Sequence, residues 1–215
     1  MRSILWVAAL ALAVTAPSAF GQPKPAHKTN SALMNPAALK EKAPATFKAK
    51  FVTTKGPFVV EVKRAWAPIG ADRFYNLVKN GFFDKLKFFR VVPGFVVQFG
   101  MHADPAIGAK WRDANIMDEK VITGNKRGFL TYAKSQRPNS RSTQFFINLG
   151  DNSGSLDPQG FSAFGHVIQG MDVVDKLYSG YGEQPEQGQI AAEGNAYLDK
   201  EFPKLDSIVT ATIVK

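Results

Sequence analysis

Cysteine is absent from all 215 residues. Disulfides, thiolate metal sites and thiol catalysis are therefore excluded, and the folded chain must be held by packing alone. No apolar run reaches the roughly 20 residues that a membrane-spanning helix needs, so stable membrane insertion is not expected. Acceptor sites for N-glycosylation are missing too, because no Asn is followed at the second place by Ser or Thr without an intervening Pro. Histidine is scarce, with three in the chain, and no G-x-S-x-G elbow accompanies them. His27 falls in a polar N-terminal stretch, which leaves His102 and His166 as the candidate bases for a nucleophilic site. His166, in "FGHVIQ", reads as a strand residue with its ring at the surface, and His102 as a loop residue. "DNSGSLDPQG", Asp151 to Gly160, has Leu156 where a calcium loop requires Gly and lacks the closing Glu, so a turn-rich connection is the reading there. No phosphate-cradling Gly-rich motif occurs, and neither a metal nor an organic cofactor is expected.

What is present is an ordinary globular balance, 45% hydrophobic and 21% charged, with 17 Phe to fill a core. One domain is expected at this length. Lys and Arg number 27 against 18 Asp and Glu, a net charge of +9. These cations are scattered in ones and twos, as in "KAK", "VKR" and "NKR", which suits a solvated surface and not a nucleic-acid footprint. The N-terminus has another character. Arg2 precedes "ILWVAALALAV" and then small residues ending "APSAFG", the pattern of a secretory signal peptide over residues 1–21. Cleavage is expected after Gly21, with Ala16 as the alternative, and export would be to a periplasm or beyond. Residues 22–45 are rich in Pro, Ala and Lys without aromatics and read as a flexible tether with a short helix near Ala37 to Lys42. The folded domain is expected over residues 46–215.

Within that domain "TFKAKFVTTKGPFVVEVKR" alternates around a Gly-Pro turn as a hairpin does. In "APIGADRFYNLVKNGFF", Ile69, Phe74, Leu77 and Val78 follow helical spacing, with Pro68 at the start and Gly81 past the end. Strands are read in "LKFFRVV", "FVVQF", "GFLTYA", "TQFFINL", "FSAFGHVIQ" and "DSIVTATIV", and a second helix in "MDVVDKLYSG". The count is about eight strands and two helices, which suggests a mainly β fold with antiparallel strands closing on themselves. The stretch between Tyr181 and Leu205 is polar and reads as an irregular surface loop.

One residue stands out against its surroundings. In "FFRVVPGFVVQFG", Phe88 to Gly100, Arg90 lies among Phe, Val, Pro and Gly, with no acidic residue between Lys85 and Met101. A cation there is either half of an ion pair, whose carboxylate comes from elsewhere in the chain, or a functional donor. Guanidinium stays protonated at ordinary pH, so it can polarise a substrate but cannot deprotonate one. Such a donor suits rotation about an X-Pro bond, in which the amide lone pair becomes localised on the prolyl nitrogen at the barrier top.

Three ordered segments carry a resemblance: "FFRVVPGFVVQFG", "RPNSRSTQFFINLGDN" and "LDPQGFSAFGHVIQGMDVVDKL". Through them the chain resembles the cyclophilin family of peptidyl-prolyl cis-trans isomerases from about Thr46 to Lys215. The resemblance implies a closed eight-stranded antiparallel barrel capped by two α-helices, acting on proline-containing unfolded or flexible segments as a monomer. It puts the catalytic arginine at Arg90 and a proline pocket at Phe95, Val96, Phe146, Leu156 and Phe161. Phe95 and Phe146 would be plain core on the default reading of a strand Phe. Gln98 and Gln144 match polar substrate-binding positions, and Ala133 and Lys134 match the segment that pairs with the substrate main chain. Phe89 and Phe161 stand where many members have His, and Val96 where many have Met. Ser155 stands where cyclosporin-sensitive members carry Trp, which implies weak or no cyclosporin binding. An alternative is a module that holds Pro-containing segments without turning them over.

Overall fold

The structure, a computed structural model, describes residues 31–214. The expected signal peptide and the first part of the expected tether lie outside the described residues. β1 (Thr46–Thr53) alternates buried and outward residues, with Phe47, Ala49, Phe51 and Thr53 turned inward. It pairs along its length with β2 (Gly56–Lys63). The turn is at residues 54–55, so Gly56 and Pro57 already belong to β2. Pro57 is tolerated because the ladder to the next strand begins only at Val59, beyond the position where its missing N–H would matter.

Six further strands follow: β3 (Arg90–Val92), β4 (Val96–Phe99), β5 (Phe129–Tyr132), β6 (Phe145–Asn148), β7 (Ala163–Gln169) and β8 (Ile208–Val214). All eight join one antiparallel sheet in the order β3-β4-β6-β5-β7-β2-β1-β8. The expectation of a closed barrel needs correction, because the end strands β3 and β8 share no ladder. Short links between the segments that precede them bring the two ends together. Lys85 donates to the Ile208 carbonyl at 2.8 Å, Ile208 to Leu86 at 2.8 Å and Phe88 to Asp206 at 3.1 Å.

The sheet curls around an aromatic core in which Phe51, Phe74, Phe83, Phe99, Phe145 and Phe164 are each fully buried. Phe51 and Phe58 stack at 5.0 Å, and Phe74 meets Phe145 and Phe164 edge-on at 5.3 and 5.2 Å. α1 (Pro68–Lys79) covers this core with Ala71, Phe74, Leu77 and Val78. Ile69 was expected on that face, but it is exposed at the first turn, where its N–H donates to Glu119.

Two helices were expected, and the described residues contain more, each shorter than α1. α2 (Pro105–Arg112) is capped by Asp104, whose carboxylate accepts from the Ala106 N–H at 2.8 Å. α3 (Ser153–Leu156) and α4 (Met171–Asp175) follow, the latter only the first part of the second helix read from the sequence. α5 (Gln187–Glu193) and α6 (Asn195–Glu201) occupy the stretch expected to be an irregular loop. Their junction, Gly194, has φ +61°, and a side chain there would lie 2.1 Å from the Ala103 carbonyl oxygen.

The tether also needs correction from Ser31 onward. Residues 31–34 and 36–38 form short 3-10 turns, and Leu33 and Ala43 are buried. The Trp111 indole N–H donates to the Leu33 carbonyl at 2.8 Å, and the Ala43 N–H to Asp72 at 2.8 Å. Lys79 pairs with Glu41 at 2.7 Å. Low aromatic content deprives a segment of large anchors, yet Leu33 needs only the slot beside Trp111 on α2. No described helix is long and apolar enough to cross a membrane.

Candidate functional site

Register builds the site. Arg90 on β3 lies opposite Gln98 on β4, and Gln98 lies opposite Phe146 on β6. Successive strand residues point to opposite faces, so Arg90, Gln98 and Phe146 form a row on one face while Val91, Val97 and Phe145 enter the core. That outer row faces a cavity of about 640 Å³. All ten residues singled out from the sequence line it: Arg90, Phe95, Val96, Gln98, Ala133, Lys134, Gln144, Phe146, Leu156 and Phe161.

One wall is apolar. Val96, Phe146 and Leu156 are buried together with Phe95, Ala133 and Phe161 at their edge, in a cluster separate from the main core. Phe95 and Phe146 are thus cup residues, not filler of the barrel interior. Phe146 and Phe161 meet edge-on at 5.9 Å. α3 and the loop after it are fixed against the sheet by amides: Asn152 Nδ2 donates to the Phe95 carbonyl at 2.9 Å, and Asn125 Nδ2 donates to the Phe161 carbonyl at 2.8 Å. Asn125 is fully buried and also donates to Asp157 at 2.6 Å. Nothing in the sequence distinguished Asn125, because the two partners its Nδ2 reaches, Asp157 and Phe161, are more than thirty residues along the chain.

The opposite wall is polar. Arg90 Nη1 donates to Gln98 Oε1 at 3.2 Å, Gln98 Nε2 to Gln144 Oε1 at 2.8 Å, and Gln144 Nε2 to Gln187 Oε1 at 3.2 Å. The amide relay ends on α5, in the stretch read as a loop. Arg90 is also half of an ion pair: its Nε donates to Glu183 Oε1 at 2.6 Å, and Nη2 contacts the same oxygen. The ion-pair reading of Arg90 therefore holds in part. The carboxylate does come from elsewhere in the chain, but its side chain is 63% exposed while that of Arg90 is 24% exposed and lines the cavity. The guanidinium carbon lies 5.5 Å from the Phe95 ring centroid, and Lys134 Nζ lies 5.2 Å from that of Phe161, both at cation–π range.

A second cavity of about 300 Å³ adjoins, sharing Arg112, Ser142, Gln144 and Gln187 with the first and lined further by His102. Burial pushes the His102 imidazole below its ordinary value, against the pull of Asp104 and Asp84. Its Nδ1 lies 3.0 Å from the Asp104 backbone nitrogen and 3.2 Å from the Asp104 carbonyl oxygen. His166 lies on β7 between Trp66 and Phe129, with ring centroids 5.8 and 5.5 Å away, remote from the cavity lining. Among the described residues no group of three or more His, Asp or Glu could hold a metal ion. The arrangement offers a fixed cation and amide donors beside an apolar cup.

Residues 48–193 match the family model described as cyclophilin type peptidyl-prolyl cis-trans isomerase/CLD. The chain is 33% identical over 172 residues to peptidyl-prolyl cis-trans isomerase B of Escherichia coli, covering 76% of this chain and 97% of that protein. It is 39% identical over 129 residues to a peptidyl-prolyl cis-trans isomerase of Acinetobacter baylyi, covering 58% of this chain and 68% of the other. Among solved structures, a cyclophilin of Cryptosporidium parvum has a similar fold, with TM-score 0.60 at 20% identity over 79% of this chain and 98% of that one. Another crystal structure, of that cyclophilin in the presence of the dipeptide Ala-Pro, gives TM-score 0.60 at 21% identity over 78% and 99%.

Proposed function

Because the chain belongs to the cyclophilin-type peptidyl-prolyl cis-trans isomerases, we propose that an X-Pro segment binds in the larger cavity and that Arg90 is the catalytic residue. The observation that carries this reading is a permanent cation lining the same cavity as an aromatic and aliphatic cup. A prolyl ring is apolar and brings no N–H, so Phe95, Val96, Phe146, Leu156 and Phe161 can hold it without stranding a donor.

Rotation about the peptide bond faces a barrier of about 18–20 kcal/mol, because planarity delocalises the nitrogen lone pair into the carbonyl. At the twisted geometry that lone pair returns to the prolyl nitrogen. A guanidinium N–H aimed there binds the twisted state better than either planar one, which is the condition for acceleration. No bond forms or breaks and no proton is transferred. Gln98 and Gln144 are the donors for the flanking carbonyls. The Ala133 N–H already donates to the Gln144 carbonyl at 3.0 Å, so main-chain pairing at 133–134 falls to the other backbone groups there. Ser155, exposed on α3, offers no indole at that position, and this supports weak or absent cyclosporin binding.

The finer setting is export: a signal peptide over residues 1–21 would deliver a monomeric folding catalyst to an extracytoplasmic compartment. The test of the site is peptide isomerisation kinetics on wild type and Arg90→Ala. Loss of one transition-state donor is expected to lower kcat/KM about a hundredfold; an undiminished value in Arg90→Ala would remove Arg90 from the mechanism.

A further inference from the structure

Arg90 is held from outside the strands that carry its other neighbours. A guanidinium has five N–H donors in a rigid plane. Nε and one Nη2 donor are taken by Glu183 and one Nη1 donor by Gln98, which leaves two at the terminal nitrogens. The backbone that carries the carboxylate is tied down. Its neighbour Gly182, at φ +53°, accepts the Val91 N–H at 3.2 Å, so the loop is tied to β3 one residue beyond Arg90. Turn hydrogen bonds Gly182 N–H to Ser179 and Gln184 N–H to Tyr181, both 2.9 Å, shape the loop. On the other side of Arg90, Phe89 is buried with Ile190, Leu198, Phe202 and Leu205, against which Tyr181 also packs. Tyr181 and Phe202 meet edge-on at 5.1 Å. One small hydrophobic cluster thus anchors both the residue preceding Arg90 and the loop that carries Glu183.

We propose that Glu183 is a positioning residue for the isomerase reaction: by occupying the Nε edge of Arg90 it fixes the guanidinium plane, so that the free terminal N–H groups are the ones presented to the prolyl amide. This rests on the catalytic role given to Arg90 above. An arginine side chain has many rotamers to lose, and a donor that must be ordered during the reaction loses its advantage over water. An exposed ion pair contributes little to stability, so Glu183 acts on the geometry of one side chain and not on the fold. The same cluster explains why Phe89 is apolar at that position. α5, packed on it, adds Gln187 to the amide relay that reaches Arg90 through Gln144 and Gln98.

The test is steady-state isomerisation on Glu183→Ala and Glu183→Gln, with each variant repeated in an Arg90→Ala background. Thermal unfolding is expected to be unchanged. Glu183→Ala is expected to lower kcat about three- to tenfold with KM within about twofold, because orientation and not binding is lost. Glu183→Gln keeps an accepting Oε1 and is expected to recover most of the rate. In the Arg90→Ala background neither variant should cost anything further. The ¹⁵N resonance of Arg90 Nε reads the contact without reference to activity and is expected to shift and broaden in Glu183→Ala alone. A kcat at or above wild type in Glu183→Ala would overturn the proposal, since the carboxylate would then be a competitor for the donor. So would an equal loss in the Arg90→Ala background, or an unmoved Nε resonance. If Arg90→Ala itself were fully active, the catalytic assignment would fail, while the resonance would still report whether Glu183 holds the guanidinium.

Discussion

At Arg90 two demands meet. A cation beside an apolar cup must be paired to be tolerated, yet the role proposed for it needs donors left free. The exposed Glu183 and the amide of Gln98 meet the first demand through three of the N–H groups and leave the others available. His102 shows a different compromise. Its ring lies against Phe82 at 5.0 Å and beside the second cavity, with Asp104 on its own loop, Asp84 across from it and Arg112 in the same cavity wall. Burial holds its protonation below the ordinary value despite both carboxylates. The unfolded chain, whose histidine titrates near about 6.5, therefore binds the proton more readily than the folded one. The stability that neutral His102 contributes is present above that pH and is lost as pH falls through it toward the lower folded value. Urea unfolding at pH 7.5 and 5.5 is expected to show a smaller acid loss in His102→Gln than in wild type; equal losses would contradict this.

The elements show where the sequence was legible. Strands with strict alternation, such as β1, and the helix from Pro68 to Lys79 were readable because their periodicity alone specifies a buried face. α2, α5 and α6 have only one or two buried anchors each: Ile107 and Trp111, Ile190, and Leu198. Helices of this length are not stable on local propensity and form because tertiary partners cover them. Those partners, such as Phe89 for α5 and α6, cannot be inferred from the segment itself. The same holds for residues 31–45. Their packing predicts that a chain beginning at Thr46 is less stable than one beginning at Ser31. Burial of Leu33 contributes about 1.5–3 kcal/mol, and the Trp111 N–H exchanges the Leu33 carbonyl for water. A loss of about 1.5–3 kcal/mol in denaturant unfolding is expected; identical unfolding midpoints would make the segment an ornament of the surface.

On the scale of the whole molecule, every cavity residue read from the three motif segments converges on one side of the sheet, although they span Arg90 to Phe161. Their legibility came from motif order, which encodes register. Glu183 was illegible for the opposite reason: it lies 93 residues from Arg90 in a polar stretch with no pattern of its own. The export proposed above belongs to the same scale. Expressed with its leader in a Gram-negative host, the protein in the periplasmic fraction is expected to begin at Gln22 by mass spectrometry. A chain retained in the cytoplasm with Met1 or Arg2 at its end would contradict the signal-peptide reading.

Binding and turnover can be separated at the site in a single experiment: two-dimensional exchange NMR on an Ala-Pro peptide at matched saturation of wild type and Arg90→Ala. If an immobilised guanidinium stabilises the twisted amide, both proteins bind the peptide through the intact cup, and cis and trans resonances exchange rapidly only with wild type. Exchange just as fast on bound Arg90→Ala would show that the cup alone lowers the barrier, and would contradict the role given to the cation.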